Sequence, residues 1–439
     1  MQLTVSNHGT KCSLDTLRGE LRFRSTKRAS AIVGRGLALA VLSALLLIAV
    51  QPAHAQTETV LYNFGGQSGD GTNPYAGLVI GKKSNLYGTN WQGGAYGEGT
   101  VFELTPTGEE TVLHSFPSQS GDGAYPYAAL IMDAKGNLYG TTVYGGASDS
   151  GTVFKVSPPA KKGGAWTETL LYSFGSQSGD GGDPYGGLIM DKEGNLYGTT
   201  YFGPGYFDTS GTVFKVTPSG EESVLYTFGS QTGDGCNPRA GLIMDKKGNL
   251  YGTTYYCGAH GLGTVFKVTP SGEESVLYNF GSQPGDGAYP AAGLIMDKKS
   301  NLYGTTWYGG ALGLGSVFEL SAKGEETVLY SFTNSDNDGY GPYAGLVMDK
   351  TGNLYGATSG GSGSNYGVLF ELMPGQGGAW SFTTLHAFNS GDGDGLEPYG
   401  TPILDTEGNL YGTTVIGGAY SCVFNGVNSS CGTVFKVTP

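Results

Sequence analysis

Apolar residues along this chain come in short bursts, each too brief for a helix and each closed off by a cluster of Gly, Pro, Asp or Asn. Residues 127–132 form one such burst, a continuous apolar run of the kind a strand buried on both faces carries. Residues 137–143 follow after a tight turn, and then 151–156, where Phe154 and Val156 alternate with Val153 and Lys155. A fourth run, 169–174, completes the set. Between the first two runs lies Asp-x-x-Gly-Asn, a hairpin in which Asp accepts backbone hydrogen bonds and Gly takes positive φ. A second hairpin, such as Pro218-Ser219-Gly220-Glu221-Glu222, joins the last two. The pattern predicts four short antiparallel strands and no helix.

The same pattern recurs along the chain. Asn-Leu-Tyr-Gly-Thr, or a one-residue variant, begins at Asn85, Asn137, Asn195, Asn249, Asn301, Asn353 and Asn409, giving seven units of roughly fifty residues. Seven four-stranded antiparallel units predict an all-β, seven-bladed β-propeller. If the apolar run is innermost, residues 59–64 are a lone outer strand and residues 432–439 a third strand. The N-terminal strand then completes the last blade and leaves no open edge. One register of the inner run is small, with Gly77, Ala129, Gly187, Gly241, Gly293 and Gly345, and Thr401 as the exception. Small residues suit a crowded axis.

Residues 1–55 stand outside the array. Arg18, Arg22, Arg24, Lys27, Arg28 and Arg35 lead into an apolar run from 37 to 50, and Ala53-His54-Ala55 supplies a small-x-small cleavage pattern. This reads as a signal peptide, with a single domain over 56–439 and no transmembrane segment once the leader is removed. Taking a segment of net +5 from a chain of −13 leaves −18. So acidic a protein excludes a phosphate-backbone partner and points to a secreted, extracellular or periplasmic monomer that does not bind nucleic acid. Four cysteines remain, in two local pairs: Cys236 with Cys257 and Cys422 with Cys431. Disulfides fit export, and a metal site near His260 is the competing reading.

The Leu-Ile-Met-Asp-Lys-x-Gly-Asn-Leu-Tyr-Gly-Thr-Thr core, the Gly-Gly-Ala turn and the Gly-Thr-Val-Phe-Lys-Val-Thr-Pro strand resemble the bacterial GloVer tandem-repeat family across essentially all of 56–439. The Asp-x-x-Gly-Asn hairpin is also similar to NHL-type propeller repeats. The resemblance implies an exported protein of unassigned activity, often held by a C-terminal anchoring signal. Here the sequence given stops at Val437-Thr438-Pro439, without a sorting segment of that kind.

Candidate chemistry lies where the repeats break their own rule. The residue after the crossover proline is Tyr75, Tyr127, Tyr185, Tyr343 or Tyr399 in five units, but Arg239 and Ala291 in the fourth and fifth. Arg239 is the only arginine after the leader. Nearby loops present Trp91, Tyr201, Tyr255 and Trp307. A cation in an aromatic collar, with space opened by Ala291, points to a ligand pocket for a carboxylate or a sugar ring. Pairing of Arg239 with a crossover aspartate is the plainer alternative. Those aspartates, one per unit in Asp-Gly-x-x-Pro, would ring one mouth. Asp392, Asp394 and Glu397 are the candidate calcium ligands, against ordinary turn chemistry. Trp166 and Trp380 fall in lengthened hairpins on the opposite face.

No catalytic or cofactor signature is present. The expected role is an exported binding or scaffold module for a carbohydrate or protein partner. A polysaccharide- or lactone-active enzyme and a structural envelope protein are the alternatives. Convergence of Asp234, Asp286 and Arg239 would favour the enzyme, and an open aromatic groove would favour binding.

Overall fold

The computed structural model describes residues 57–438 apart from 118–120, 206–208, 335–337, 362–364, 390, 392 and 425–426, so the expected leader lies outside the described residues. Seven four-stranded antiparallel sheets form the blades of an all-β propeller. In the fourth blade the strands run from the axis outward as Ile243–Met244, Leu250–Thr254, Thr264–Val268 and Glu274–Asn279.

Each letter of the repeated pentapeptide has a physical task. Asp245 Oδ1 accepts the backbone N–H groups of Lys247 and Asn249 at 2.8 and 2.9 Å. Its Oδ2 accepts the Asn249 amide at 2.7 Å and the Tyr251 hydroxyl at 3.1 Å, so Asn and Tyr lock the hairpin. Leu250 is buried in the core. Gly252 makes room for a ring, since a Cβ there would lie 2.6 Å from Cζ of Phe266 on the next strand. Thr253 donates its hydroxyl to the carbonyl of Ala292 in the following blade, at 3.2 Å.

The core lies in the seams between blades. On the third strand of blade two, Phe154 and Val156 pack toward blade one while Val153 packs toward blade three, so the alternation read from sequence serves two seams. Each seam holds an edge-to-face phenylalanine pair, such as Phe228 with Phe266 at 4.8 Å and Phe280 with Phe318 at 5.1 Å between ring centroids. Trp166 and Trp380 pack against two of these seams, which accounts for both tryptophans.

The ring closes as the strand order predicts. Thr57–Asn63 pairs antiparallel with Thr433–Thr438, completing a sheet with Leu410–Thr414 and Ile403–Leu404. Both expected disulfides form, Cys236 to Cys257 and Cys422 to Cys431.

The innermost strand is shorter than its apolar run. In blade two only Ile131–Met132 joins the ladder. Upstream, backbone acceptors serve the neighbouring blade instead, as when Ala128 O receives the Thr89 hydroxyl at 3.2 Å. The small register is explained by the same crowding. A Cβ on Gly77 would lie 2.6 Å from the Thr401 carbonyl oxygen, and one on Gly241 would lie 3.1 Å from that of Gly187. Thr401 is tolerated because its hydroxyl accepts the Gly345 N–H at 2.9 Å.

Inter-blade threonine bonds give a first prediction. Thr305 donates to Ala344 O at 2.9 Å in a buried site. Thr305→Val keeps the shape and orphans that carbonyl, so a loss of about 1–2 kcal/mol is expected in chemical denaturation. An unchanged midpoint would show that the hydroxyl is dispensable.

Candidate functional site

One face of the propeller is built by the crossovers and by the loops between second and third strands. The residue before the crossover proline has positive φ in every repeat: Asn73, Tyr125, Asp183, Asn237, Tyr289, Gly341 and Glu397 lie between 53° and 61°. Its carbonyl accepts the N–H of the residue just after the second strand, as Asn73 O does from Trp91 at 3.1 Å and Tyr289 O from Trp307 at 3.2 Å. This pairing sets Trp91, Tyr201, Tyr255 and Trp307 beside the crossovers. Asn suits the left-handed conformation, and the Asn73 and Asn237 amides clamp Val415 O and Tyr201 O. Asp183 is suited to that conformation in the same way, whereas Tyr and Glu are less at ease there, at a cost on the order of 1 kcal/mol.

Around the axis the residues after the prolines form a collar. The Arg239 guanidinium carbon sits 5.3 Å from the Tyr185 ring centroid, 5.7 Å from Tyr201, 5.1 Å from Tyr255 and 5.8 Å from Tyr343. Arginine thus reaches past Ala291 and fills the space that alanine opens. The Tyr127 hydroxyl donates to that of Tyr343 at 3.3 Å across the collar. Among the described residues no carboxylate lies within ion-pair distance of Arg239, and its buried Nε has no hydrogen-bond partner. The alternative reading, pairing of Arg239 with a crossover aspartate, is not found among the described residues. Four aromatic faces hold the cation instead. Tyr255 and Trp307 lie 6.2 Å apart beside it, while Trp91 sits farther round, 5.6 Å from Tyr127.

Open space lies over blades one to three. Tyr75, Trp91, Tyr125, Tyr127, Tyr144 and Tyr185 line a bowl of about 470 Å³. Trp91 packs against Tyr125 at 5.0 Å and Tyr144 at 6.3 Å. Tyr144 and Tyr185 also line the adjoining cleft of about 480 Å³, which adds Asp149, Asp183, Gln177 and Phe202. Burial, followed by the nearby Asp149 charge, pushes the Asp183 carboxyl up to about 6. A smaller cleft of about 210 Å³ holds Trp307, Tyr308, Glu397 and Tyr399, and burial raises Glu397 as well.

The crossover aspartates are not at the mouth. Six of the seven turn outward to the outer strand eight residues earlier, as Tyr226 donates to Asp234 at 2.7 Å and Tyr278 to Asp286 at 2.8 Å. Backbone N–H groups of Gly229 and Gly281 add to these, so turn chemistry uses the carboxylates. Asp234, Asp286 and Arg239 therefore do not converge. Of the candidate calcium ligands, Asp394 faces His386 at 3.1 Å, Glu397 lines the separate cleft beside Trp307, and Asp392 lies outside the described residues.

Tyr125, Tyr144, Asp149 and Asp183 escaped the sequence reading. For Tyr125 and Asp183 the signal was the varying residue before the crossover proline, two positions from the register that drew notice to Arg239. Asp149 gave less, as one acid in a loop of small residues.

The chain matches the Gloeobacter/Verrucomicrobia repeat profile over residues 46–244 and 204–425. Among curated proteins none matches it in sequence. The extracellular domain of a protein described as a hybrid two-component system from B. thetaiotaomicron superposes with a TM-score of 0.52 at 13% identity, over 87% of this chain and 41% of that one. A puromycin hydrolase does so with a TM-score of 0.52 at 15% identity, over 78% of this chain and 50% of that one. A protein from Bacteroides uniformis described as a 6-phosphogluconolactonase gives 0.46 at 14% identity, over 73% and 89%. This chain spans half or less of the first two, and such distant likeness speaks to fold alone. Among the described residues no helix is long and apolar enough to cross a membrane.

Proposed function

This chain belongs to the Gloeobacter/Verrucomicrobia repeat family, and from that premise we propose that it is an exported carbohydrate-binding module whose sugar site is the aromatic groove over blades one to three. The observation that carries this reading is the continuous set of exposed and half-exposed rings from Tyr75 through Trp91 and Tyr125 to Tyr144, opening into a cleft with Asp183 and Gln177. Flat rings stack on the apolar faces of pyranoses, and carboxylate and amide groups bond their hydroxyls. Two disulfides and the leader sequence support an oxidising, extracytoplasmic setting. Arg239 then props the collar from beneath and is not itself the ligand's counter-ion.

The test is retention of the mature chain on a panel of insoluble polysaccharides, with soluble fragments assayed in the same tubes. Retention on at least one polymer is expected, with Trp91→Ala and Tyr144→Ala weakening it by tenfold or more and Trp166→Ala leaving it unchanged. Equal retention of all three variants would remove the site from this groove. Asp183, raised beside Asp149 in the cleft, supports a second reading as a polysaccharide hydrolase. Fragment release abolished by Asp183→Asn would establish that reading in place of the first.

A further inference from the structure

Histidine replaces the outer-strand tyrosine at two of the seven crossover aspartates: His386 bonds Asp394 as the five tyrosines bond theirs, whereas the buried His114 Nε2 on the strand before Asp122 has no hydrogen-bond partner. At the His386 seam, between blades six and seven, we infer a divalent metal site of the zinc class formed by Glu58, His386 and Asp394. One ligand atom from each lies within 4.8 Å of the others, and among the described residues this is the one such group. His386 Nε2 is 3.1 Å from Asp394 Oδ2. Two ligands about 2.0–2.1 Å from a tetrahedral or distorted-tetrahedral ion stand roughly 3.1–3.4 Å apart, so this edge needs little adjustment.

Sister seams show what is unusual here. Between blades three and four and between four and five, the same positions are Tyr226, Asp234 and Glu274 and then Tyr278, Asp286 and Glu326. There a phenol donates to the aspartate, and the set offers oxygen alone. Imidazole in place of phenol gives one nitrogen and two carboxylates, a set suited to Zn²⁺ and poorly suited to Ca²⁺. Glu58 Oε1 is buried without a hydrogen-bond partner, as are the matching glutamate oxygens of the sister seams, but here an imidazole as well as a carboxylate lies beside it. A cation between them removes that deficit and the Glu58–Asp394 repulsion together.

The location gives the ion a task. Glu58 is on the N-terminal strand Thr57–Asn63, His386 on the outer strand Trp380–Asn389 of blade six, and Asp394 on the crossover that follows. One ion therefore ties the ring-closing strand to the preceding blade, distant in sequence, and leaves at least one coordination position to water. Binding at Nε2 requires the imidazole proton on Nδ1, so the bond now made to Asp394 is exchanged for metal coordination.

The experiment uses the mature chain freed of metal with EDTA, titrated with Zn²⁺ by calorimetry and followed by thermal denaturation. One equivalent is expected to bind and raise the denaturation midpoint, whereas Ca²⁺ leaves it unmoved. His386→Tyr installs the donor that sister seams use, so the metal-free protein should melt as the wild type does while Zn²⁺ affinity falls at least 100-fold. Glu58→Gln should lower affinity at least tenfold, and His114→Tyr at the other histidine seam should leave it intact. Absence of zinc binding by the wild type, or undiminished binding by His386→Tyr, overturns the site.

Discussion

Phe266→Ala is expected to cost about 3–5 kcal/mol, the range for emptying a fully buried aromatic site. Phe266 has no solvent exposure, meets Phe228 edge-to-face at 4.8 Å, and belongs to the seam that joins blades three and four. Its fit rests on the glycine of the repeated pentapeptide. A Cβ on Gly252 would lie 2.6 Å from the Phe266 ring and 2.8 Å from Leu242 Cδ2. Gly252→Ala alone should therefore overpack the seam by about 1–3 kcal/mol. In the Phe266→Ala background the same methyl has space, so its cost should nearly vanish. Denaturant midpoints of the four proteins give the coupling directly, with an interaction above about 1 kcal/mol expected. Simple additivity would mean that the glycine serves the backbone and not the ring.

That glycine shows why the fold was legible in the sequence. Repetition multiplied weak local signals sevenfold, so Asp-x-x-Gly-Asn gave the hairpin, the unpaired runs at the two ends gave the closure, and Gly77 and its counterparts gave the axis. What could not be read is what one repeat does to the next but one. Arg239 crosses Ala291 to reach Tyr343, a contact between the fourth and sixth units that no single-unit pattern contains. Space left by alanine therefore read as a pocket, although the arginine fills it. The open groove instead lies beside Tyr125 and Asp183, at the position before the crossover proline that varies between repeats, and those changes are mild as letters but large as shapes. The tyrosine or histidine eight residues before each crossover aspartate was a legible signal of a different kind. It is a strict spacing, and it assigns the aspartates to the outer strands and away from the mouth.

Stability of the metal-free chain is expected to fall as pH rises from about 4.5 through about 7, opposite to the usual behaviour of an acidic protein. At five seams an outer-strand glutamate, Glu110, Glu168, Glu222, Glu274 or Glu326, is pushed up to about 7 by burial and then by the crossover aspartate beside it. Each has an Oε1 that is buried without a hydrogen-bond partner. A carboxyl whose folded pKa lies above its unfolded value holds more protons folded than unfolded. Its stabilisation is complete below about 4.5 and is lost as pH rises through the folded value. A shift from 4.5 to about 7 corresponds to roughly 3 kcal/mol, and partial exposure of these groups makes each contribution smaller.

Hairpin aspartates set the acid limit. Burial raises Asp245, but the bonds from Asn249, Lys247 and Tyr251 outweigh it and leave the carboxyl below its ordinary value, as at Asp133, Asp191, Asp349 and Asp405. Such groups stabilise above the unfolded pKa and lose that contribution as pH falls through the folded one. His114, lowered by burial, also favours higher pH, but it is one group against five. The maximum should therefore fall at about pH 4–6, read as the denaturant midpoint in EDTA. Glu274→Gln removes one titrating group while keeping its shape. It should match the wild type near pH 5 and exceed it at pH 8. A variant no more stable than the wild type at pH 8 would show that the seam glutamates reach solvent and ionise freely, and the acidic optimum would have no source in the seams.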